Sequence, residues 1–369
     1  MAGEKVMSTN KKVMFVIPRM GGGGAERVVA NIANSLSERG YKIRITTLVS
    51  NESFYPLDNN IIINSALLKV DRSSKLNAYI SMAKNFIRAF LFIKKEIKRF
   101  QPDTVISMLI EADILTHLVK QFGLNFRHIC SERNDPSRRN KYIRKYLSYI
   151  YRKADYFICQ GKKVAEYYGD IPKSKVAIIP NPIDASLIPD SVEEAFSQKI
   201  VAVGRLDPQK NFSLLIDSFS DISEDFPQCE LVIYGEGFMR NELEEKIKYY
   251  GLQEKVSLPG ASKDVLNKIK DASLFVMSSN YEGFPNALVE AMAAGLPVIS
   301  TDFATGIAHD LVTENNGIVV PVNDRNALSD AIMEIMREPQ LRNKMRIENQ
   351  KVINNLSIKK IVSMWENIL

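Results

Sequence analysis

VMFVIPRMGGGGAERVVANIANSLSERGYKIRITTLV, residues 13–49, decides how this chain folds. Residues 13–17 are all apolar, as a strand buried on both faces has to be. The glycines that follow, Gly22, Gly23 and Gly24 among them, allow positive φ and close backbone approach. From Ala25 apolar residues recur at helical spacing, and Gly40 is a C-terminal stop. Residues 41–49 then read as a second strand. Strand, glycine loop, helix and strand make the opening unit of a doubly wound parallel sheet.

Outward from this unit the pattern continues. Strands are predicted at 104–108, 128–131, 156–159 and 176–179. The stretch 178–196, IIPNPIDASLIPDSVEEAF, holds three prolines and no helical period, and reads as a linker with the boundary near 184–198. The pattern restarts with strands at 199–203, 230–234, 256–258, 274–277 and 297–300. The prediction is α/β, with two Rossmann-like domains over 1–185 and 186–355. The closing 356–369 reads as an amphipathic helix carrying the chain's single tryptophan, Trp365.

The bulk properties agree. A length of 369 residues suits two domains, and 45% hydrophobic with 25% charged residues is a globular composition. Cys130, Cys159 and Cys229 are scattered, each with apolar neighbours, and read as buried thiols of a reducing compartment. The polar opening MAGEKVMSTNKK and the short apolar run after it predict no secretory signal. No stretch approaches the ~20 apolar residues of a membrane span. Charge is uneven: residues 1–185 carry a net +15 and the remainder −9. Such asymmetry points to a polyanion at the basic half, either nucleic acid or anionic lipid.

Three loops of the second half carry chemistry. In VGRLDPQKN, Gly204 is followed by Arg205 and Lys210, two cations at a strand's carboxyl end that suit a diphosphate. In IYGEGFMRNELEEKI, Gly235 and Gly237 bracket Glu236 without the third glycine of a dinucleotide fingerprint. In SSNYEGFPNALVE, Pro285 fits the start of a helix whose free N–H groups favour anions. Glu282 stands before that helix and Glu290 inside it. Their spacing suits the two ends of a sugar nucleotide: Glu290 on a ribose diol, Glu282 on a sugar beyond the phosphates.

Taken together, GGGGAERVVANIA, VGRLDPQKNF, GEGFMRNELE, SSNYEGFPNALVEAMAAGLPVIS and NNGIVVPVND resemble the blocks of the retaining family 4 glycosyltransferases, in that family's order and over nearly the whole chain. The resemblance implies a GT-B fold, two Rossmann-like domains facing a central cleft, with the last helix crossing back to the first domain. It implies that Arg205 and Lys210 bind the donor diphosphate and stabilise the leaving nucleotide. Glu290 would hold the ribose and Glu282 the donor sugar. Gly283, Phe284, Pro285 and Asn286 would line the sugar pocket, with the amides of Phe284 and Asn286 open as donors. Gly22, Gly23 and Gly24 would let the first domain close on the phosphates. No metal or other cofactor is implied, since no DxD-like pair stands in a suitable loop; a nucleotide diphosphate sugar is the donor substrate.

One departure from the family concerns the loop after 128–131. Many members carry a histidine there; this chain has ICSERNDPSRR. Glu132, Arg133 and Asn134 are therefore the candidates for contact with donor sugar or acceptor, with Glu132 as a possible base. His128 and His117 read as structural, and His309 as a lead toward the donor region. The basic, aromatic stretches 84–101 and 138–153 suit an anionic membrane or a nucleic acid. The resemblance favours the membrane and leaves no role for nucleic acid.

The expected enzyme transfers a hexose or N-acetylhexosamine, from a UDP-linked donor by default, to a hydroxyl of a lipid-linked saccharide, with retention. It would act in the cytoplasm, peripheral on the inner face of the membrane, in bacterial cell-surface polysaccharide or lipopolysaccharide synthesis. Two other classes compete: a GT-B-like nucleotide-sugar epimerase, and a non-catalytic module that binds nucleic acid or lipid. Donor sugar, base, acceptor, linkage and oligomeric state are not written in the sequence.

Overall fold

A computed structural model of the chain describes residues 10–69, 75–169, 171–183, 197–262, 264–351 and 355–369. The predicted linker lies outside the described residues from 184 to 196. The chain forms two compact units: one runs to Pro182 and regains Ile358–Leu369, and the other is Ile183–Ser357.

The first unit holds a parallel sheet of seven strands: β1 (Lys12–Ile17), β2 (Lys42–Thr47), β3 (Ile62–Ser65), β4 (Thr104–Met108), β5 (Arg127–Ser131), β6 (Tyr156–Cys159) and β7 (Val176–Ile178). Their order is β3-β2-β1-β4-β5-β6-β7. The second unit holds a parallel sheet of β8 (Lys199–Val203), β9 (Glu230–Tyr234), β10 (Val256–Gly260), β11 (Leu274–Met277), β12 (Val298–Thr301) and β13 (Gly317–Val320). Its order is β10-β9-β8-β11-β12-β13. In each sheet the winding reverses beside the first strand, between β1 and β4 and between β8 and β11. Open α/β sheets bind ligands beyond the carboxyl ends of the strands at this reversal.

The central strands lie where the apolar runs placed them. Met14, Phe15, Val16 and Ile17 are completely buried, and so are Leu274 and Phe275 of β11. Helix Gly24–Glu38 buries Val28, Val29, Ile32 and Leu36 on the face its spacing predicted. Gly40 at φ +88° closes it, and the Tyr41 amide donates to the Leu36 carbonyl at 3.0 Å. Two strands were not anticipated. β3 and β13 are strands of four residues whose apolar runs, 61–63 and 318–320, are too short to be told from other structure by period.

The closing helix, Ile358–Glu366, belongs to the first unit, as the resemblance implied. Ile361, Val362 and Trp365 are fully buried. Glu366 is ion-paired to Arg39 at the end of helix Gly24–Glu38. The three cysteines are free and buried. Among the described residues no helix is long and apolar enough to cross a membrane.

Candidate active site

The loops after β8, β9 and β11 meet in the second unit and are tied by their backbones. The Gly204 amide donates to Tyr234 O at 2.9 Å, Leu206 N to Glu236 O at 3.0 Å and Met239 N to Leu206 O at 3.1 Å. Gly235 and Gly237 make this closeness possible. A Cβ on Gly235 would overlap the Gly204 carbonyl, and one on Gly237 the Leu206 carbonyl. Gly204 in turn lies under the stem of Lys210, whose Cε is 2.9 Å from where a Gly204 Cβ would stand. The glycines therefore fix the path of the lysine, which the sequence alone did not reveal.

Asn211 ends this loop in the left-handed region at φ +49°, a conformation that asparagine tolerates better than most residues. Its side chain donates to Asn280 Oδ1 at 3.1 Å and Asn323 Oδ1 at 2.8 Å. Ser278 Oγ donates to Lys210 O at 2.9 Å, and Asn280 Nδ2 to Pro208 O at 2.7 Å. The loops after β8 and β11, on the two sides of the sheet's reversal, are thus one hydrogen-bonded body.

Lys210 and Glu282 come together inside it. Lys210 Nζ donates to Glu282 Oε1 at 2.5 Å, and Ser279 Oγ donates to the same oxygen at 2.8 Å. Gln209 Nε2 donates to Glu282 Oε2 at 3.2 Å and to Tyr281 O at 3.0 Å. Glu282 is buried. Arg205 is more open: its side chain is 73% exposed, 3.0 Å from Asp207, and its Nη2 donates to Gln209 Oε1 at 3.1 Å, which joins it to the same cluster. Gln209 and Ser279 were missed by sequence reasoning. Both lie in loops that it quoted, but a neutral polar residue beside a charged one gives no signal of its own.

Helix Asn286–Ala293 follows, with Pro285 at the N-cap. Phe284 is buried. One expectation needs correction: the Asn286 amide is not open, because it donates to Phe284 O at 3.0 Å. Glu290 is half-buried on this helix.

In the first unit, Gly22 and Gly23 follow β1, Gly23 is the N-cap and Gly24 begins the helix. Gly22 has the Phe54 ring beside it. Glu26, buried in the first turn, folds its carboxylate back over Gly23, with Arg19 Nε 3.9 Å from Oε1. The chain brings its own negative charge to this helix start, which already favours an anion.

Glu132 follows β5 and is only 1% exposed. Oε1 accepts from the amides of Arg133 and Asn134, each at 2.9 Å, and from Arg139 Nη2 at 2.8 Å. Oε2 accepts from Arg139 Nη1, from Tyr168 Oη and, at 3.4 Å, from Tyr151 Oη. An ionised carboxylate has about four lone-pair sites, so these donors occupy it fully. Burial and the Glu132 charge push the Tyr168 and Tyr151 hydroxyls up, keeping them protonated donors.

Behind this hub, Tyr151 Oη also lies 3.1 Å from Asp113 Oδ2, and Ser107 Oγ contacts Asp113 Oδ1 at 2.5 Å and His128 Nε2 at 2.9 Å. Burial pushes Asp113 well above the carboxylate range and His128 down to about 3. Arg133 is buried, lowered to about 10 chiefly by desolvation, and donates to Ser131 Oγ and Asn181 Oδ1, each at 2.8 Å. His117 bonds Gln121 at 2.9 Å within its helix, and exposed His309 lies 3.2 Å from Asp302.

A doubly wound sheet with a lysine–carboxylate pair and an arginine at its reversal is the arrangement of an α/β protein that takes its ligand at the carboxyl ends of the strands. Comparison with known proteins narrows the class. Residues 22–187 match Glycosyltransferase Family 4, and residues 188–352 match Glycosyl transferases group 1. A glycosyltransferase of Methanocaldococcus jannaschii is 31% identical over 298 residues, covering 73% of each chain. The N-acetylgalactosamine-N,N'-diacetylbacillosaminyl-diphospho-undecaprenol 4-alpha-N-acetylgalactosaminyltransferase of Campylobacter jejuni is 28% identical, covering 90% of this chain and 92% of its own. The crystal structure of HepE from Anabaena in complex with UDP matches with a TM-score of 0.77 at 16% identity, over 96% of this chain and 98% of that one. The chain belongs to the family 4 glycosyltransferases, with their GT-B fold. It is a glycosyltransferase.

Proposed function

We propose that this chain transfers a hexose or N-acetylhexosamine from a UDP-linked donor to a hydroxyl of a lipid-linked saccharide, with retention at the anomeric carbon. The observation that carries the reading is the Lys210–Glu282 pair, held by both loops at the reversal of the second sheet. Lys210 and Arg205 bind the diphosphate and offset the charge that builds on it as the nucleotide leaves. Glu290 accepts from the ribose hydroxyls. Glu282 accepts from the donor sugar, and Gly283 to Asn286 line its pocket. Gly204 and Gly235 shape the cation loop. UDP is favoured by the ligand of HepE, and a lipid-linked acceptor by the diphospho-undecaprenol named in the Campylobacter enzyme.

Glu132 takes a positioning role in this reading. Its fully occupied carboxylate fixes the backbone that presents exposed Asn134 to the acceptor, while Arg133, a candidate for the same contact, is turned inward onto Ser131 and Asn181. The acceptor unit meets an anionic membrane surface through helices Lys75–Phe100 and Lys141–Lys153. Phe86, Ile87 and Leu91 on the first, and Tyr142, Ile143 and Tyr146 on the second, are exposed among lysines and arginines. The enzyme then works at the inner face of the membrane in cell-surface polysaccharide synthesis.

The test is a reaction with UDP-, GDP- and ADP-sugars and a lipid-diphosphate monosaccharide, with product mass and anomeric configuration read by NMR. An α-linked product from an α-linked UDP-sugar supports the reading; an inverted product, or an epimerised donor without transfer, contradicts it. Flotation with anionic and with neutral vesicles tests the membrane part. Equal recovery with both contradicts it.

A further inference from the structure

The two cations assigned to the diphosphate are held very differently. The Arg205 side chain is 73% exposed and pairs with Asp207 on its own loop. The Lys210 side chain is 15% exposed and the Glu282 side chain 7%, and the two are in contact. Ser279 and Gln209 also point their donors at the same carboxylate. In so sheltered a setting each charge depends on the other, because removing one partner leaves an uncompensated charge. A diphosphate that is to use Lys210 must therefore take it from Glu282.

We propose that Glu282 stands in for the diphosphate as the partner of Lys210 whenever no donor is bound. Donor binding moves the Lys210 ammonium from Glu282 Oε1 to phosphate oxygens and frees that carboxylate oxygen for the hydroxyls of the donor sugar. This rests on the donor-site reading above. The exchange makes and breaks no covalent bond. Lysine gains a more highly charged partner, and the carboxylate keeps Ser279 and Gln209 and gains sugar O–H donors. A nucleoside diphosphate without its sugar completes half of the exchange. It withdraws Lys210 from Glu282 and returns no donor to the carboxylate. The site thereby discriminates between an intact sugar nucleotide and the spent nucleotide, and product release restores the Lys210–Glu282 pair.

The experiment is calorimetric titration of wild type, Glu282→Gln, Lys210→Gln and the double variant. The probes are UDP, UDP-glucose and UDP-N-acetylglucosamine, with GDP, ADP and their glucose conjugates in parallel. Glutamine keeps an acceptor for Lys210 and Ser279 but removes the charge. Glu282→Gln is expected to bind nucleoside diphosphate about tenfold more tightly than wild type. The gain is expected to vanish when Lys210→Gln is added, and the preference for sugar nucleotide over nucleoside diphosphate is expected to shrink. If Glu282→Gln binds nucleoside diphosphate no more tightly while Lys210→Gln weakens binding, the exchange is overturned and the donor-site reading stands. If wild type binds no nucleoside diphosphate, or Lys210→Gln leaves affinity unchanged, the donor-site reading falls and the exchange with it. Should Glu282→Gln fail to fold, a crystal structure of wild type with bound UDP decides. Lys210 Nζ on a phosphate oxygen and away from Glu282 is the expected arrangement; Lys210 still on Glu282 overturns it.

Discussion

Gly235 is packed against Gly204 so closely that a Cβ on the one would overlap the carbonyl oxygen of the other. The Gly235 amide is also spent, donating to Gly260 O at 3.0 Å. Since Gly204 underlies Lys210, the contact transmits from β9 to the cation at β8. Gly235→Ala has to displace backbone, which cannot swing aside as a side chain can. We expect a loss of about 1–3 kcal/mol of stability, typical of overpacking, together with weaker donor binding. Urea denaturation and donor titration measure the two, and wild-type values in both would contradict the packing account.

Glu132 separates two roles by stability. Glu132→Ala leaves the Arg139 guanidinium buried without its carboxylate. The expected cost is about 3–5 kcal/mol, the range for breaking a buried ion pair, visible as a large drop in melting temperature. A catalytic base would instead lose turnover with its stability intact. Asn134→Ala, which leaves the hub in place, is expected to melt like wild type and to raise KM for the acceptor but not for the donor.

The first domain carries a pH signature. Burial, with Lys120 nearby, lowers His128 from 6.5 to about 3. A histidine with a depressed folded value stays neutral in the native state while the unfolded chain takes up the proton. The stability it supports is complete above about 6.5 and is lost as the pH falls toward about 3. Relative to His128→Gln, wild type is expected to lose about 2 kcal/mol between about pH 7.5 and about pH 5. Asp113, raised by burial, shifts stability the opposite way but is common to both proteins. A stability difference that does not move with pH contradicts a neutral buried ring.

Glu290 is expected to act in donor binding alone. Glu290→Ala should raise KM for the donor several-fold with kcat little changed, the mark of an interaction equal in ground and transition states. A fall in kcat at unchanged KM would place Glu290 in the chemistry instead.

The core of the fold was legible because parallel strands buried on both faces leave continuous apolar runs, as in β1, β4 and β11. The strands β3 and β13 were not, although residues 61–63 and 318–320 are apolar, because runs so short do not separate strand from helix by period alone. In the site, charge and glycine spacing brought out Arg205, Lys210, Glu282 and Gly235. What the sequence hid was partnership. Nothing in SERNDP says that the Glu132 carboxylate turns inward to Arg139, Tyr168 and Tyr151, because those donors come from a later loop and two separate segments. Nor does EGFPN show that the Asn286 amide is taken by Phe284.

The central claim is that the Lys210–Glu282 site performs glycosyl transfer. The most direct measurement is acceptor-dependent nucleotide release by wild type and Lys210→Ala, side by side, with UDP-, GDP- and ADP-sugars and a lipid-diphosphate monosaccharide. The account predicts release from one donor series, dependent on acceptor and matched by a product one sugar heavier, with kcat/KM lowered about 10²–10³-fold in the variant. Release that is indifferent to acceptor, or wild-type turnover by Lys210→Ala, would contradict it.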